Sequence, residues 1–460
     1  MYHWVRALCE AFLRDESANA LADMLPCFFM KHGDTAALHV RARGIGVLRG
    51  VMDSPVARDF LDVLELLEAG RPDPDALASV FGRLWEGLAL EEERLLPDAW
   101  QSYLVSRILD DENPFSLGSE KGKVSASVLE QAGRDLLTLR EAFALDAAAL
   151  LGRVESAVPA LAGVWIHWRD PVPADESPRH TIARKLSTAE DWAACAQLLV
   201  GHYSMHGAGP FGRNGVFQWR KGRLRAVVSP DPVRLAGLIS YEREREPLIL
   251  NTERFLAGLP AHHALLYGPP GTGKSSTIKA VLNEYVGRGL RLVEVKKEDL
   301  AELATVLENL RGRGPRFVVF VDDLSFEEHE VEYKALKALL EGSVEEPPEN
   351  VRIYATSNRR NLIRETFSDR EEGSDDVHAR DTMQEKLSLA ARFGLRLTFP
   401  SPNQARYLEI VAGLARDRGL HIPEKTLQER AILWDRWHAG RSGRIAKQFI
   451  DELEAEETPS

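Results

Sequence analysis

Residues 265–276 of the 460-residue chain read LLYGPPGTGKSS, and this stretch constrains the fold more than any other. An apolar run enters a turn rich in glycine and proline, and Lys274, Ser275 and Ser276 leave it. The spacing GxxxxGK[ST] falls on Gly268, Gly273, Lys274 and Ser275, with Gly271 between the outer glycines. Glycine lets backbone N–H groups close around an anion with no Cβ in the way. A helix starting at the lysine adds its positive N-terminal dipole. Such a turn needs a strand to deliver it and a helix to carry it away, which predicts an α/β fold. Gly268, Pro269, Pro270, Gly271, Thr272, Gly273, Lys274, Ser275 and Ser276 form the expected cradle for a nucleotide's phosphates. Lys274 is placed to reach the β- and γ-phosphates and Ser275 to offer its hydroxyl to Mg²⁺, so ATP with Mg²⁺ is the expected ligand.

Residues 229–400 keep the same rhythm. HALLYG, RLVEV, FVVFV, VRIYATS and LRLTF read as five strands. The helices between them begin after the glycine turn, at Asp299 in DLAELATVLENL, and in EYKALKALLEG. This alternation implies a parallel sheet covered on both faces. After Pro400 the segments QARYLEIVAGLARDRG, EKTLQERAILWDRWHAG and SGRIAKQFIDELEAEE read as helices, a helical lid over residues 401–460.

The strand FVVFV ends in Asp322 and Asp323. Asp322 is the expected magnesium ligand, acting through the metal's water shell. Asp323 stands where ATP-driven motors usually carry a glutamate that prepares the attacking water. Its side chain is one methylene shorter, a displacement of about 1.5 Å, and catalysis is sensitive to misplacement on that scale. Hydrolysis is therefore expected to be slow, with a shifted backbone, Glu327 or Glu328 as ways to compensate. Asn358 ends VRIYATSN beside the Asp322 strand, where a neutral amide can orient water. Arg392, in LSLAARFGLRLTF, precedes the last strand at an edge from which an arginine reaches a neighbouring subunit's γ-phosphate; such residues contribute about 10³–10⁵ in rate. Arg444, in RSGRIAKQF, opens the last helix and is expected to sense the γ-phosphate from the lid, with Arg441 as its nearest competitor.

The first part of the chain has another texture. Residues 1–155 read as a helical domain. VARDFLDVLELLEAG sets Phe60, Val63, Leu64, Leu66 and Leu67 along one stripe and stops at Gly70; PDALASVFGRLWEGL begins at Pro74; residues 124–154 read as one or two more helices. LDDENPFSLGSEKGK (109–123) reads as a polar loop. Residues 156–228 read as a small mixed module or linker, with VFQW and LRAVV as short strands around an RKGR turn. His202 and His206 stand four apart without an evident third ligand, which argues against a metal. RGRGPR (311–316) reads as a turn, and EEGSDDVHARD (371–381) as a solvated acidic loop.

A net charge of −12 argues against a broad nucleic-acid-coating surface, though not against a local basic patch. Cys9, Cys27 and Cys195 form no CxxC or zinc spacing and read as reduced thiols. The N-terminus lacks the signs of a signal peptide, and no apolar run approaches the roughly 20 residues that span a bilayer. A cytoplasmic location with no membrane partner is expected.

Taken together these motifs resemble an AAA+ ATPase: GPPGTGKS matches Walker A, FVVFVDD matches Walker B with Asp for Glu, ATSN sensor 1, ARFG the arginine-finger context and SGRIAKQF sensor 2. More narrowly, the chain resembles the bacterial AAA+ family known as domain of unknown function 815. ISYEREREPLILNTERFLAG, DDLSFEEHEVEYKALKALLEGS, IYATSNRRNLI and DTMQEKLSLAARFGL carry that likeness over roughly residues 225–455. The resemblance implies that Asp-Asp at Walker B is usual, that ATP is bound and hydrolysed, and that Ile239 and Tyr241 lie near the adenine. Ser240 stands where the family often has Gly, and Pro247 is expected to interrupt the helix before NTERF.

The expected protein is an oligomeric ATPase, a closed ring being one form, whose helical N-terminal domain meets a protein client or adaptor. A nucleic-acid-associated loader or repair ATPase and a nucleotide-switched binding module are the alternatives. No aromatic pore loop follows RLVEVKKEDL, which argues against a polypeptide-threading unfoldase.

Overall fold

The computed structural model describes residues 37–172, 176–326, 332–341, 347–358, 389–438 and 440–457. Glu327, Glu328 and the acidic segment 371–381 lie outside the described residues. The N-terminal part is helical: α1 (Leu38–Arg43), α2 (Arg49–Met52), α3 (Pro55–Glu68), α4 (Pro74–Ala89), α5 (Ala99–Asp110), α6 (Pro114–Glu120), α7 (Ala126–Ala144) and α8 (Ala147–Ala157). Then come α9 (Pro178–Thr188), α10 (Ala196–His206) and the short α11 (Gly209–Arg213). Ser54, Asp73, Asn113 and Ser177 each cap a helix whose first residue is proline. The capping oxygen takes an orphan N–H, and the proline sits where no helical N–H is needed. Inside, Phe60 of α3 stacks on Trp100 of α5 with ring centroids 3.8 Å apart.

Residues 109–123 are not the expected polar loop. They contain α6, because Asn113 caps the N–H groups of Phe115 and Ser116 while Ser116 returns a bond to the Asn113 N–H. Phe115 is fully buried, so the polar residues here are caps and ion-pair partners around an apolar anchor. Residues 156–228 do not form a module of their own. Trp192, Leu199, Tyr203 and Ala208 pack in the same apolar core as α1–α8, whereas β1 (Val216–Arg220) and β2 (Arg223–Ala226) join the sheet of the following domain. One part thus completes the helical core and the other extends the sheet.

Among the described residues the sheet has seven strands in the order β2-β1-β4-β5-β6-β3-β7. The five expected strands are β3 (Ala264–Tyr267), β4 (Leu290–Glu294), β5 (Arg316–Val321), β6 (Val351–Ser357) and β7 (Leu395–Thr398), all parallel to their neighbours. β1 extends them in parallel beside β4, and β2 closes that edge as an antiparallel hairpin arm. Apolar strands are buried on both faces, as a parallel sheet requires. One face packs with α12 (Glu242–Leu256), α13 (Lys274–Tyr285) and the C-terminal helices α16 (Gln404–Asp417), α17 (Glu424–Trp437) and α18 (Gly443–Glu457). The other face packs with α14 (Leu303–Leu310) and α15 (Glu332–Glu341). The helix expected from Asp299 begins as a tighter 3-10 segment, Lys297–Glu302, and becomes α14 at Leu303.

The expected interruption at Pro247 does not occur, since α12 runs through it. A proline removes one N–H from a helix interior and costs about 3 kcal/mol. Leu248, Thr252 and Phe255 are buried on the same helix, and Asn251 and Thr252 both bond the Tyr354 hydroxyl, at 3.1 and 2.9 Å. These contacts hold the helix in one piece.

The helical domain is clamped to the sheet through RGRGPR. Arg313 pairs with the buried Glu120 and with Glu112, each at 2.7 Å. The Gly314 N–H donates to the same Glu120 carboxylate at 2.8 Å. The basic turn therefore points into a domain joint.

Candidate functional site

β3 delivers the glycine turn and α13 begins at Lys274, as the motif requires. Gly268 has φ 153° and lies so close to β7 that a Cβ there would sit 2.0 Å from the Phe399 carbonyl oxygen. Only glycine fits that approach. Gly271 and Gly273 take φ 76° and 89°, the left-handed region that L side chains avoid. Pro269 and Pro270 are exposed on the turn and Thr272 is buried, its hydroxyl donating to the Pro269 carbonyl at 3.0 Å. Ser276 is half-buried in the first turn of α13.

The sheet order brings the other site residues to this turn. β6 lies between β3 and β5, so Asn358 emerges between the phosphate turn and the two aspartates. Lys274 Nζ donates to the carbonyls of Gly268 and Pro269 at 2.7 and 2.8 Å and to Asn358 Oδ1 at 3.1 Å. Ser275 Oγ donates to Asp322 Oδ1 at 2.6 Å. Asn358 Nδ2 donates to Asp323 Oδ1 at 2.7 Å. Burial pulls the Lys274 ammonium below its ordinary pKa, the nearby Arg444 adding to this, while Asp323 and Asp322 oppose it. The lysine lies among groups of both signs, and its present partners are carbonyls that an anion can replace.

Asp323 has φ 51°. Among residues with a Cβ, Asp and Asn tolerate this left-handed conformation best. The short acid thus suits the backbone on which it stands. Thr356, on β6, was not among the expected residues. Its hydroxyl bonds Asp322 Oδ1 and accepts the Asp323 N–H at 2.9 Å, positioning both acids. The signal was a hydroxyl in ATSN: Val321 pairs with Ala355, so the next residues on the two strands stand side by side.

The C-terminal helices also touch the turn. The Gly443 N–H donates to the Gly271 carbonyl at 2.8 Å, and Ser442 and Arg444 crowd the Gly271 Cα. Arg441 is engaged by Asp435 at 2.9 Å, which leaves Arg444, exposed at the start of α18, as the arginine beside the phosphate turn. Ile239 and Tyr241 stand between sheet and C-terminal helices. Ile239 packs on Gly413 of α16. Tyr241 is buried, stacks on Phe399, donates to the Pro400 carbonyl at 2.7 Å and carries the Arg406 guanidinium over its ring at 4.3 Å. Ser240 and Tyr241 both have positive φ, 63° and 65°, which is the conformation a glycine at position 240 would favour.

Arg392 is not in this cluster. It is exposed, three residues ahead of β7, whose far end pairs with Tyr267 just before the turn. β7 itself spans about 10 Å, so Arg392 lies beyond the end of that strand opposite the phosphate turn.

The residues present fit the expected ligands. Glycine-lined backbone, a lysine and a helix N-terminus suit phosphates; a serine hydroxyl beside a carboxylate suits Mg²⁺, which takes oxygen donors.

The family profile described as "Protein of unknown function (DUF815)" matches residues 212–457. The chain is a DUF815 protein. It is distantly homologous to AAA+ ATPases. This DUF815 protein is 30% identical over 112 residues to the replication factor C large subunit of Staphylothermus marinus, a match covering 22% of this chain and 25% of that one. It is 28% identical over 220 residues to the proteasome-activating nucleotidase of Methanopyrus kandleri, covering 42% of each. Among solved structures it resembles the RuvB Holliday junction branch migration motor of Thermotoga maritima, with 21% identity, a TM-score of 0.34 and coverage of 49% of this chain and 65% of that one. The matches thus span 25% and 42% of those two curated relatives' own lengths. Among the described residues no helix is long and apolar enough to cross a membrane.

Proposed function

We propose that this DUF815 protein is an ATPase that binds ATP with Mg²⁺ in the Gly268–Ser276 turn and hydrolyses it slowly, as an oligomer, to remodel or regulate a partner held by its helical domain. The observation that carries this reading is the meeting of Lys274, Ser275, Asp322, Asp323 and Asn358 at the C-terminal ends of the neighbouring strands β5, β6 and β3. Residues 229–400 serve as the nucleotide-binding core and residues 401–460 as the lid. An arriving phosphate takes over Lys274 from the Gly268 and Pro269 carbonyls. Ser275 and Asp322 are the residues that would hold Mg²⁺, which supplies charge neutralisation between the phosphates. Asp323 prepares the attacking water, and Asn358 holds that carboxylate in place. Arg444 reports the γ-phosphate to the lid, and Ile239 and Tyr241 border the adenine. Arg392 stands at the end of β7 opposite its own turn, which favours action on a neighbouring subunit in a head-to-tail assembly.

Single-turnover phosphate release with the full chain tests this. Release should occur in the wild type, vanish in Lys274→Ala and fall by about 10²-fold or more in Asp323→Asn. ATP binding with no release under any condition would leave a nucleotide-switched binding module instead.

A nucleic-acid role has one point in its favour, the likeness to replication factor C. Against it, Arg313 of the basic RGRGPR turn is committed to Glu112 and Glu120. DNA-stimulated turnover with a steep salt dependence would favour it over a protein remodeller.

A further inference from the structure

A cavity of about 410 Å³ lies at the end of α13 opposite the phosphate turn, lined by residues of α9, α10 and the approach to β1. Its size falls in the range of small-molecule sites. Arg179, Arg213, Arg234, Arg291, His202 and His206 all line it. Arg179 pairs with Glu93 and Asp110, and Arg213 with Asp110. The other two guanidiniums have no carboxylate partner among the described residues. Arg291 is buried, and its N–H groups go to the carbonyls of Phe211, Val286, Leu290 and His206 at 2.7 to 3.1 Å. Arg234 donates to the Asn283 carbonyl at 2.5 Å. Carbonyl dipoles solvate a buried cation but do not neutralise it.

His202 is 4% exposed, and its Nε2 is buried with no hydrogen-bond partner. An unpaired polar atom of this kind costs about 1–3 kcal/mol and calls for an explanation. Its ring lies 5.1 Å from that of His206. Burial is the main cause pushing both rings to low pKa values, about 3 and about 4, and Arg291 adds to it at each. Glu176 and Glu284 also line the cavity, but both are exposed. Arg234 is exposed as they are, while on the buried side Arg291 is a cation without a carboxylate partner and His202 has an idle imidazole nitrogen.

We propose that this cleft binds a small molecule through an oxyanion group, phosphate or carboxylate, held among Arg234, Arg291 and His202. The Arg234 guanidinium can match either kind of oxyanion, and Arg291 has one N–H beyond the four it gives to carbonyls. Asn283 and Glu284, at one end of α13, line the cleft, and Lys274 starts the other end. At 1.5 Å per residue the two sites stand roughly 14 Å apart along one helix. The occupant would touch the helical domain and the helix that carries the phosphate turn at the same time.

Inorganic phosphate and malonate are the probes, each titrated into the full chain while the His202 ring signals are followed by NMR. Saturable shifts with phosphate, malonate or both support the site and say which oxyanion it takes. Lys274→Ala should leave the titration in place, which separates the cleft from the phosphate turn. Arg234→Gln, an exposed position, should weaken it by about tenfold or more, and His202→Phe should weaken it similarly when melting temperature is the readout. The proposal is overturned if neither probe shifts the His202 signals saturably, if Lys274→Ala abolishes the titration, or if Arg234→Gln titrates like the wild type.

Discussion

Asn358 Nδ2 donates to Asp323 Oδ1 across 2.7 Å, and the acid that receives it stands on a left-handed backbone, φ 51°. The bond fixes one carboxylate oxygen and leaves the other for a water. Asp323→Asn keeps a residue that tolerates this conformation, so MgATP binding should be close to wild type while turnover falls by about 10²-fold. Asp323→Glu lengthens the arm but loses the Asp preference for positive φ, at a cost of about 1–2 kcal/mol. It should lower the melting temperature and turn over more slowly than wild type. A glutamate variant that is faster and equally stable would refute this account of the short acid.

Gly268→Ala should be the most damaging change in the phosphate turn. Its Cβ would meet the Phe399 carbonyl at 2.0 Å, a contact with backbone that no rotamer relieves. Separation of β7 from β3 is expected, read as lost nucleotide titration together with faster amide exchange at Phe399, whose N–H now bonds the Tyr267 carbonyl at 2.8 Å.

Arg392→Ala should bind ATP nearly as the wild type does and hydrolyse it poorly. Lys274→Ala subunits retain Arg392, and Arg392→Ala subunits retain a sound phosphate turn. Mixing the two should therefore restore turnover that neither shows alone, with an assembly larger than the monomer by light scattering. Full activity from a strict monomer would assign Arg392 to a salt bridge instead.

Stability should fall as pH drops from about 6.5 towards 4. His263, His202 and His206 are pushed from 6.5 to about 4, about 3 and about 4, chiefly by burial. The folded state thus holds them neutral while the unfolded chain takes up protons from about pH 6.5 downward. Their contribution is complete above that value and is lost as pH falls, at up to roughly 1.4 kcal/mol per pH unit for each ring. His263 Nδ1 accepts the Ile353 N–H at 2.9 Å, which requires a neutral ring. Urea midpoints at pH 7, 6 and 5 should show the slope, and His263→Asn should flatten it.

Glu120→Gln should destabilise the joint between the helical domain and the sheet. The carboxylate receives Arg313, the Gly314 N–H at 2.8 Å and the Ala208 N–H at 2.8 Å while fully buried. Removing its charge leaves Arg313 with Glu112 as its remaining carboxylate, and weakening hydrogen bonds to a buried charged group costs about 1–3 kcal/mol. Denaturant unfolding measures it directly.

What could be read in advance was whatever depends on local chemistry. The phosphate turn declares itself because glycine, lysine and serine at that spacing have few other uses, and strands such as FVVFV are apolar without interruption. Asn358 was legible because a strand ending in a polar residue beside the acids has an evident task. Legibility failed where meaning comes from a distant partner. Residues 109–123 look solvated until Glu112 and Glu120 are seen to meet Arg313. Pro247 reads as a breaker unless Asn251 and Thr252 are known to grip Tyr354. The hairpin 216–226 looks like part of a module because its pairing with β4 depends on register between strands far apart in the chain.

The contact between Gly443 and Gly271 joins one peptide unit to another. No replacement of a side chain can erase it while leaving its surroundings alone, for a Cβ at Gly271 would press on Ser442 at 2.9 Å and one at Gly443 on the Gly271 carbonyl at 3.1 Å. A mutational survey would record both positions as intolerant of bulk and would never register the bond. Replacing the amide at position 443 by an ester deletes the donor without adding a side chain, at the lesser cost of a weaker Ser442 carbonyl, which accepts from Ala446 at 3.0 Å, so the resting grip of the C-terminal helices on the phosphate turn is open to chemical synthesis and closed to the genetic code.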